Sequence, residues 1–160
     1  MTDPTIEAAA QLLSDSLDLL RAAIDGLPSA ALDEQPGGPD TNSLAVLVTH
    51  SLHSTRAWLS VAVAAPLPDR DRPAEFAASA VDLDAFLAGF DSMSNDCRAL
   101  LEQAGPFDPG RIGTAPWRPG DLAQEPVTAA WALIHALVHL REHVGHAELT
   151  RQLWNERPGA

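Results

Sequence analysis

Four of the six histidines of this 160-residue chain fall in one short segment, ALIHALVHLREHVGHAELT, at His135, His139, His143 and His146. On a helix, this spacing places all four side chains within about 80° of one another. Two imidazoles four residues apart can direct their ring nitrogens at one cation, at distances of about 2.0–2.1 Å. The segment therefore predicts a helix with one face suited to metal binding.

A metal site needs at least one further ligand from another part of the chain. His50, in LVTHSLHSTRAWL, lies on the apolar stripe of Leu47, Ala57 and Val61, and would face the interior of a helical bundle if that stripe does. Buried neutral imidazoles without partners would each cost a few kcal/mol, and charged ones would repel one another. A shared cation is therefore the most economical explanation of the cluster.

The spacing alone leaves a second interpretation open. The histidine stripe is also compatible with a solvated face paired with carboxylates such as Glu142 and Glu148, or with core histidines bonded to serine and threonine. We expect His53 and His135 to be structural or to support the ligands from outside the coordination shell. For His146, the same supporting role and a surface position are both open.

Helical periodicity of apolar residues occurs in four segments, which three proline- and glycine-rich stretches separate, and no strand pattern is visible. The first predicted helix has Asp3 as N-cap and Pro4 at its first position, and ends at Gly26. Its apolar stripe comprises Ile6, Leu12, Leu13, Leu17, Leu20 and Ile24. The other predicted helices begin near Thr41 or Asn42, near Val81 and near Glu125 with Pro126 in its first turn, and end at Pro66, Ala104 and Trp154.

The predicted fold is all-α: one domain over residues 1–160, an antiparallel four-helix bundle with a long loop between helices three and four. That loop, residues 105–124, is long for a compact domain, and we expect it to cap the site or to make a crossover. Trp117 within it is interpreted as an apolar plug over the end of the bundle. A short turn is expected around Glu75 and Phe76.

Composition restricts the class of partner. Apolar residues make up 46% of the chain, and the net charge of −12 disfavours nucleic acid and anionic lipid surfaces. The chain has neither a run that could cross a membrane nor a signal-peptide pattern, so we expect a cytoplasmic protein. Cys97 is the single cysteine, which excludes an intramolecular disulfide and indicates a packing role. The chain has no lysine and is rich in alanine, proline and arginine, which indicates a GC-rich genome.

Two segments resemble the DinB/YfiT-like bundle proteins: NSLAVLVTHSLHSTRAWL resembles their second helix, and HLREHVGHAELTRQLW resembles their last. DRDRPAEF is similar to the corresponding loop of actinobacterial members. The resemblance, which covers most of the chain, implies His50, His139 and His143 as the metal ligands and does not select His135. The sequence departs from the pattern at His146, where many members carry glutamine, and this leaves the role of His146 open.

The resemblance also implies a function. Related proteins, such as mycothiol-dependent maleylpyruvate isomerase and bacillithiol S-transferases, use a divalent metal to bind a low-molecular-weight thiol. We therefore expect a thiol S-transferase or isomerase with a mycothiol-like thiol and an electrophile as substrates. Zinc is the expected metal, with nickel, iron or manganese as alternatives. A non-catalytic stress-response bundle that binds a metal or ligand, and an iron site for oxygen chemistry, remain alternative functions. A homodimer is compatible with the long amphipathic helices.

Overall fold

In the computed structural model, which describes residues 3–116 and 125–157, the chain is mostly helical. The elements in chain order are α1 (Pro4–Ile24), α2 (Ser29–Asp33), α3 (Leu44–Val63), α4 (Arg72–Glu75), α5 (Leu83–Glu102), β1 (Ile112–Thr114), β2 (Pro126–Thr128) and α6 (Ala129–Asn155). The four long helices pack as a bundle, so the predicted helical four-helix bundle is confirmed. Within the described ranges, no helix combines the length and apolar character of a bilayer-spanning segment. Trp117 lies outside the described residues.

Helix α3 is the central element of the bundle. It packs most extensively on α6 and also on α5, and 15 of its 20 residues are buried. The helix begins at the N-cap Ser43, whose hydroxyl accepts a hydrogen bond from the backbone N–H of Val46 at 3.2 Å. The predicted N-caps Thr41 and Asn42 are therefore wrong by one or two residues. Thr41 instead closes the preceding turn, because its hydroxyl donates to the carbonyl of Gly38.

Two pairs of neighbouring helices run antiparallel. On α3 and α6, the ring of His50 lies near that of His143, whereas Trp58 lies near Trp131, so the residue numbers rise in opposite directions. On α1 and α5, Arg98 pairs with Asp18 while Arg21 pairs with Asp91.

The other two neighbouring pairs run parallel. The guanidinium of Arg151, near the end of α6, donates to the carbonyls of Ala22 and Asp25 at the end of α1. Grooves between α3 and α5 are lined by Val48 with Ala85 near the helix starts, and by Ser60 with Gln103 near their ends. The chain must therefore return along α3 before α5 begins, over about 30 Å of helix. This return segment, residues 64–82, places α4 beside the early turns of α3, where Glu75 contacts His50.

A small hairpin precedes α6 and corrects the prediction that the chain has no strands. Strand β1 pairs antiparallel with β2, with Ile112 opposite Thr128 and Thr114 opposite Pro126. The predicted start of the last helix near Glu125 is wrong, since Thr128 is the N-cap and its side chain accepts from the N–H of Trp131. Strands of three residues are too short to show an alternating pattern.

The hairpin is fixed to the carboxyl end of α3. The guanidinium of Arg111 donates to the carbonyls of Val61 and Ala62 in the last turn of α3, where the carbonyls lack the regular helical donors four residues on. A Cβ atom at Gly113 would lie 2.9 Å from the side chain of Val61, so β1 can approach α3 this closely only with glycine. The hairpin therefore forms one wall of the region between α3 and α6.

The first helix agrees closely with its prediction. Asp3 is the N-cap, with its carboxylate accepting from the N–H of Thr5 at 2.8 Å, and Pro4 opens the helix. The predicted apolar stripe is buried except for Leu12, which is 56% exposed because it lies at the solvent edge of the helix.

Candidate metal centre

His50 reaches the candidate site from the second turn of α3. Its side chain is buried and faces α6, as its position on the apolar stripe predicts. Burial lowers the pKa of His50 below its ordinary value, and the hydrogen bond to Glu75 offsets part of that effect. His50 is therefore held mainly as a neutral imidazole, which is the form that binds metals.

His139 and His143 lie one helical turn apart on α6 and face the same side as His50. Their Nε2 atoms are 3.3 Å apart. Two ligands of a tetrahedral zinc ion at about 2.0–2.1 Å from the metal are separated by about 3.3–3.4 Å. The observed separation therefore already matches one edge of a zinc coordination tetrahedron.

The three rings converge on one point between the two helices. The ring centroid of His50 lies 5.4 Å from that of His139 and 5.2 Å from that of His143. One nitrogen of each ring lies within 4.8 Å of the nitrogens offered by the other two. This three-histidine group could hold a metal ion.

The second ring nitrogens of His139 and His143 are not accessible to a ligand. The Nδ1 atoms of His139 and His143 are buried and have no hydrogen-bond partner among the described residues. Each ring can therefore offer only Nε2 to a ligand. Burial, followed by the nearby imidazoles, lowers the pKa of His139 to about 3 and that of His143 to about 4. Both rings are neutral at physiological pH and fit a divalent cation by their charge as well as by their geometry.

Glu75 is a component of the site that the sequence analysis did not identify. Its carboxylate is only 3% exposed, and its Oε2 lies 3.0 Å from Nδ1 of His50. The guanidinium of Arg70 donates to both oxygens, from Nε to Oε1 at 2.6 Å and from Nη2 to Oε2 at 2.8 Å. Burial alone would raise the pKa of Glu75, but the hydrogen bonds from Arg70 and His50 hold it below its ordinary value. The carboxylate is therefore ionised.

The local sequence explains how Glu75 reaches this position. Helix α4 starts at the N-cap Asp71, whose side chain accepts from the N–H of Ala74, and Pro73 lies in its first turn. The ring of Phe76 then packs 4.8 Å from that of His50. The Asp-Arg-Pro-Ala-Glu-Phe order was an available signal for a capped turn, but nothing in it indicates a contact with a residue 25 positions earlier.

The remaining three histidines lie around the group rather than within it. The ring of His135 stacks on that of Trp131 at 4.7 Å, with Trp58 edge-on at 4.5 Å. His53 lines a separate groove between α3 and α5, and its pKa is lowered by burial. His146 is exposed, with its ring 5.6 Å from that of His143.

A cavity of about 710 Å³ opens beside the three-histidine group. His50 and His139 form part of its wall, and Trp58, Trp131 and His135 form an aromatic wall nearby. Its other lining residues include Ser54, Arg70, Arg72, Ala115, Glu125, Pro126, Val127 and Thr128. The cavity therefore adjoins two of the three imidazoles of the group.

A helical bundle with a three-histidine group beside an open cavity defines a class of candidate metal-binding bundle proteins. The chain belongs to the DinB superfamily, whose family model matches residues 12–147. A crystal structure of a conserved protein from Enterococcus faecalis has a similar fold, with a TM-score of 0.72 at 18% sequence identity. The similarity covers 98% of this chain and 99% of that one. No curated protein matches the chain.

Proposed function

We propose that this protein is a metal-dependent thiol S-transferase or isomerase, with His50, His139 and His143 as the metal ligands. One observation carries the proposal: three neutral imidazoles lie together beside a large cavity that His50 and His139 line. Catalytic zinc sites characteristically have three protein ligands and leave a position for water or substrate, whereas structural sites have four.

Zinc is the proposed metal, because three imidazoles at this spacing suit its preferred geometry. Nickel, iron and manganese are compatible with imidazole ligands to different degrees. A divalent cation held there would supply one chemical function, which is to lower the pKa of a bound thiol so that it is deprotonated at neutral pH. The proposed thiol is a low-molecular-weight compound of the mycothiol type in the cytoplasm.

The cavity provides the remaining requirements of a transferase. Trp58 and Trp131 present apolar ring surface that can contact the carbon skeleton of an electrophile and keep water from it. The arginines of the cavity wall do not select an anionic substrate, because Arg70 is paired with Glu75 and a second carboxylate, that of Glu125, lies in the same wall. The chain's own residues thus bind and orient the two reactants beside the imidazoles.

The test is spectroscopic and kinetic. The metal-free protein is loaded with Co²⁺, and its visible spectrum is recorded while mycothiol or a thiol analogue is added; the S-methyl derivative of the same compound serves as the control. We expect the thiol to change the spectrum and the thioether to leave it unaltered. Turnover of the thiol with a model electrophile is then measured for the wild type and His143→Ala.

The outcomes separate the candidate functions. Thiol binding together with turnover that His143→Ala abolishes supports the transferase. A cobalt spectrum that thiol leaves unchanged refutes it. In that case, metal binding without chemistry would favour the non-catalytic bundle.

A further inference from the structure

We infer that Glu75 and Arg70 are positioning residues that fix the tautomer and the orientation of His50, so that its Nε2 lone pair points toward the shared cation. This inference rests on the proposed metal site, but its test includes a measurement on the metal-free protein.

The hydrogen-bonding capacity of Glu75 and Arg70 determines which nitrogen of His50 carries the proton. An ionised carboxylate only accepts hydrogen bonds, and an arginine guanidinium only donates them. With Arg70 donating to both oxygens of Glu75, the contact between Oε2 and Nδ1 of His50 requires the imidazole to be the donor. His50 therefore carries its proton on Nδ1, and Nε2 is unprotonated.

Burial restricts the orientations that the side chains of His50, Glu75 and Arg70 can adopt. The side chains of His50 and Arg70 are each 10% exposed and that of Glu75 is 3% exposed, so water has little access to compete for these hydrogen bonds. Arg70 engages the carboxylate in a two-point contact, which fixes the plane of the carboxylate as well as its distance. Phe76 also packs against the imidazole ring of His50, with the ring centroids 4.8 Å apart. The ring is thus fixed in position as well as in tautomer.

The three histidines are supported unequally. The Nδ1 atoms of His139 and His143 have no partner among the described residues, and adjacent turns of one helix set the spacing of these two rings. His50 comes from a different helix, and its alignment with them depends on a side chain that the return segment supplies. Removal of the carboxylate or carbonyl that is bonded to the non-coordinating nitrogen of a ligating histidine typically lowers metal affinity about 10–100-fold.

The direct test uses protein with ¹⁵N-labelled imidazoles, free of metal and at slightly alkaline pH, in which two-bond ¹H–¹⁵N correlations report which ring nitrogen is protonated. In the wild type we expect His50 to be protonated on Nδ1. Glu75→Gln keeps the shape but leaves one acceptor oxygen for three N–H donors, two from Arg70 and one from His50. The Nε2-protonated form of His50 should then become populated, and Co²⁺ affinity should fall about 10–100-fold. Arg70→Lys, which keeps the charge but loses the two-point contact, should produce a smaller change of the same kind.

Two controls isolate the effect. Asp69→Asn removes an exposed carboxylate in the same segment and should change neither the tautomer nor the affinity. His143→Ala should reduce Co²⁺ affinity while leaving the His50 tautomer unchanged. An Nε2-protonated His50 in the wild type, or a Glu75→Gln protein with wild-type tautomer and affinity, would overturn the inference. Failure of the wild type to bind Co²⁺ would instead refute the proposed function, and the tautomer of the metal-free protein would still decide the role of Glu75.

Discussion

The Nε2 atoms of His139 and His143 lie 3.3 Å apart, on adjacent turns of α6. Two neutral rings at this distance can share one proton in a hydrogen bond, or both can direct lone pairs at one cation. The first arrangement makes no use of His50, whose ring nevertheless lies 5.2 Å from that of His143. The second arrangement uses all three rings, so metal binding should depend on each of them.

Replacement of any one of the three by alanine should therefore remove most of the metal affinity. Loss of a ligand should cost at least as much as loss of an outer partner, so we expect a decrease of about 100-fold or more for His50→Ala and His143→Ala. His146→Ala is the matched control, because that side chain is exposed on the same helix. Elemental analysis after purification and competitive titration with Zn²⁺ provide the measurements. Equal metal content in all the variants would contradict the assignment.

Acid should destabilise the metal-free protein through the same histidines. The pKa is about 3 for His139 and about 4 for His143 in the folded chain, against about 6.5 for histidine in an unfolded one. As the pH falls from about 6.5 toward 4, the unfolded chain binds protons that the folded chain excludes, so the free energy of unfolding decreases. Urea unfolding in EDTA should show a midpoint that falls across this range.

The contribution of one ring can be separated from that of the carboxylates. His143→Gln cannot take up a proton there, so its urea midpoint should fall less between pH 6.5 and 4.5 than that of the wild type. An equal pH dependence in the wild type and His143→Gln would show that His143 does not titrate differently on unfolding.

Zn²⁺ at about 100 times its dissociation constant should raise the free energy of unfolding of the wild type at neutral pH by about 2.7 kcal/mol.

Signals that act between neighbouring residues predicted the structure well, whereas signals whose meaning depends on a partner elsewhere in the chain did not. Asp3 and Pro4 fix the start of α1 through one side-chain hydrogen bond and one restricted dihedral angle, which are properties of neighbouring residues. Pro126, a common first-turn residue, also fits the edge of a short hairpin, and there it pairs with Thr114. The pairing partner decides between these possibilities, and it lies in another part of the chain.

The candidate metal centre shows the same difference between local signals and long-range contacts. Periodicity places all four histidines of α6 on one face, and the stripe of α3 turns His50 inward, but only the resemblance to the DinB-like bundles selected His139 and His143 as its partners. Periodicity does not specify which helices are neighbours or in which direction they run. The return of the chain along α3, which brings Glu75 to His50, follows from the parallel packing of α3 and α5 and was therefore not predictable.

Cys97 should be chemically inert in the folded protein. The thiol is fully buried on α5, and burial raises its pKa to about 12, so almost no thiolate exists at neutral pH. A thiol reagent should react with it slowly in buffer and rapidly in urea. Cys97→Ala should keep wild-type metal affinity and lose about 1 kcal/mol of stability. Rapid native-state labelling would contradict the packing role.

The orientation of α6 can be tested by truncating one buried and one exposed side chain, which lie about 120° apart around the helix. Leu140 is fully buried beside the histidine pair, whereas Ile134 is 61% exposed. Leu140→Ala leaves a cavity that the bundle can only partly fill, so we expect a loss of about 2–5 kcal/mol in the free energy of unfolding. Ile134→Ala should change it by no more than about 0.5 kcal/mol. Urea unfolding of both variants in EDTA measures the difference without any contribution from metal. Similar losses in the two variants would mean that α6 presents a different face to the core, and the convergence of His139 and His143 on His50 would then be wrong as well.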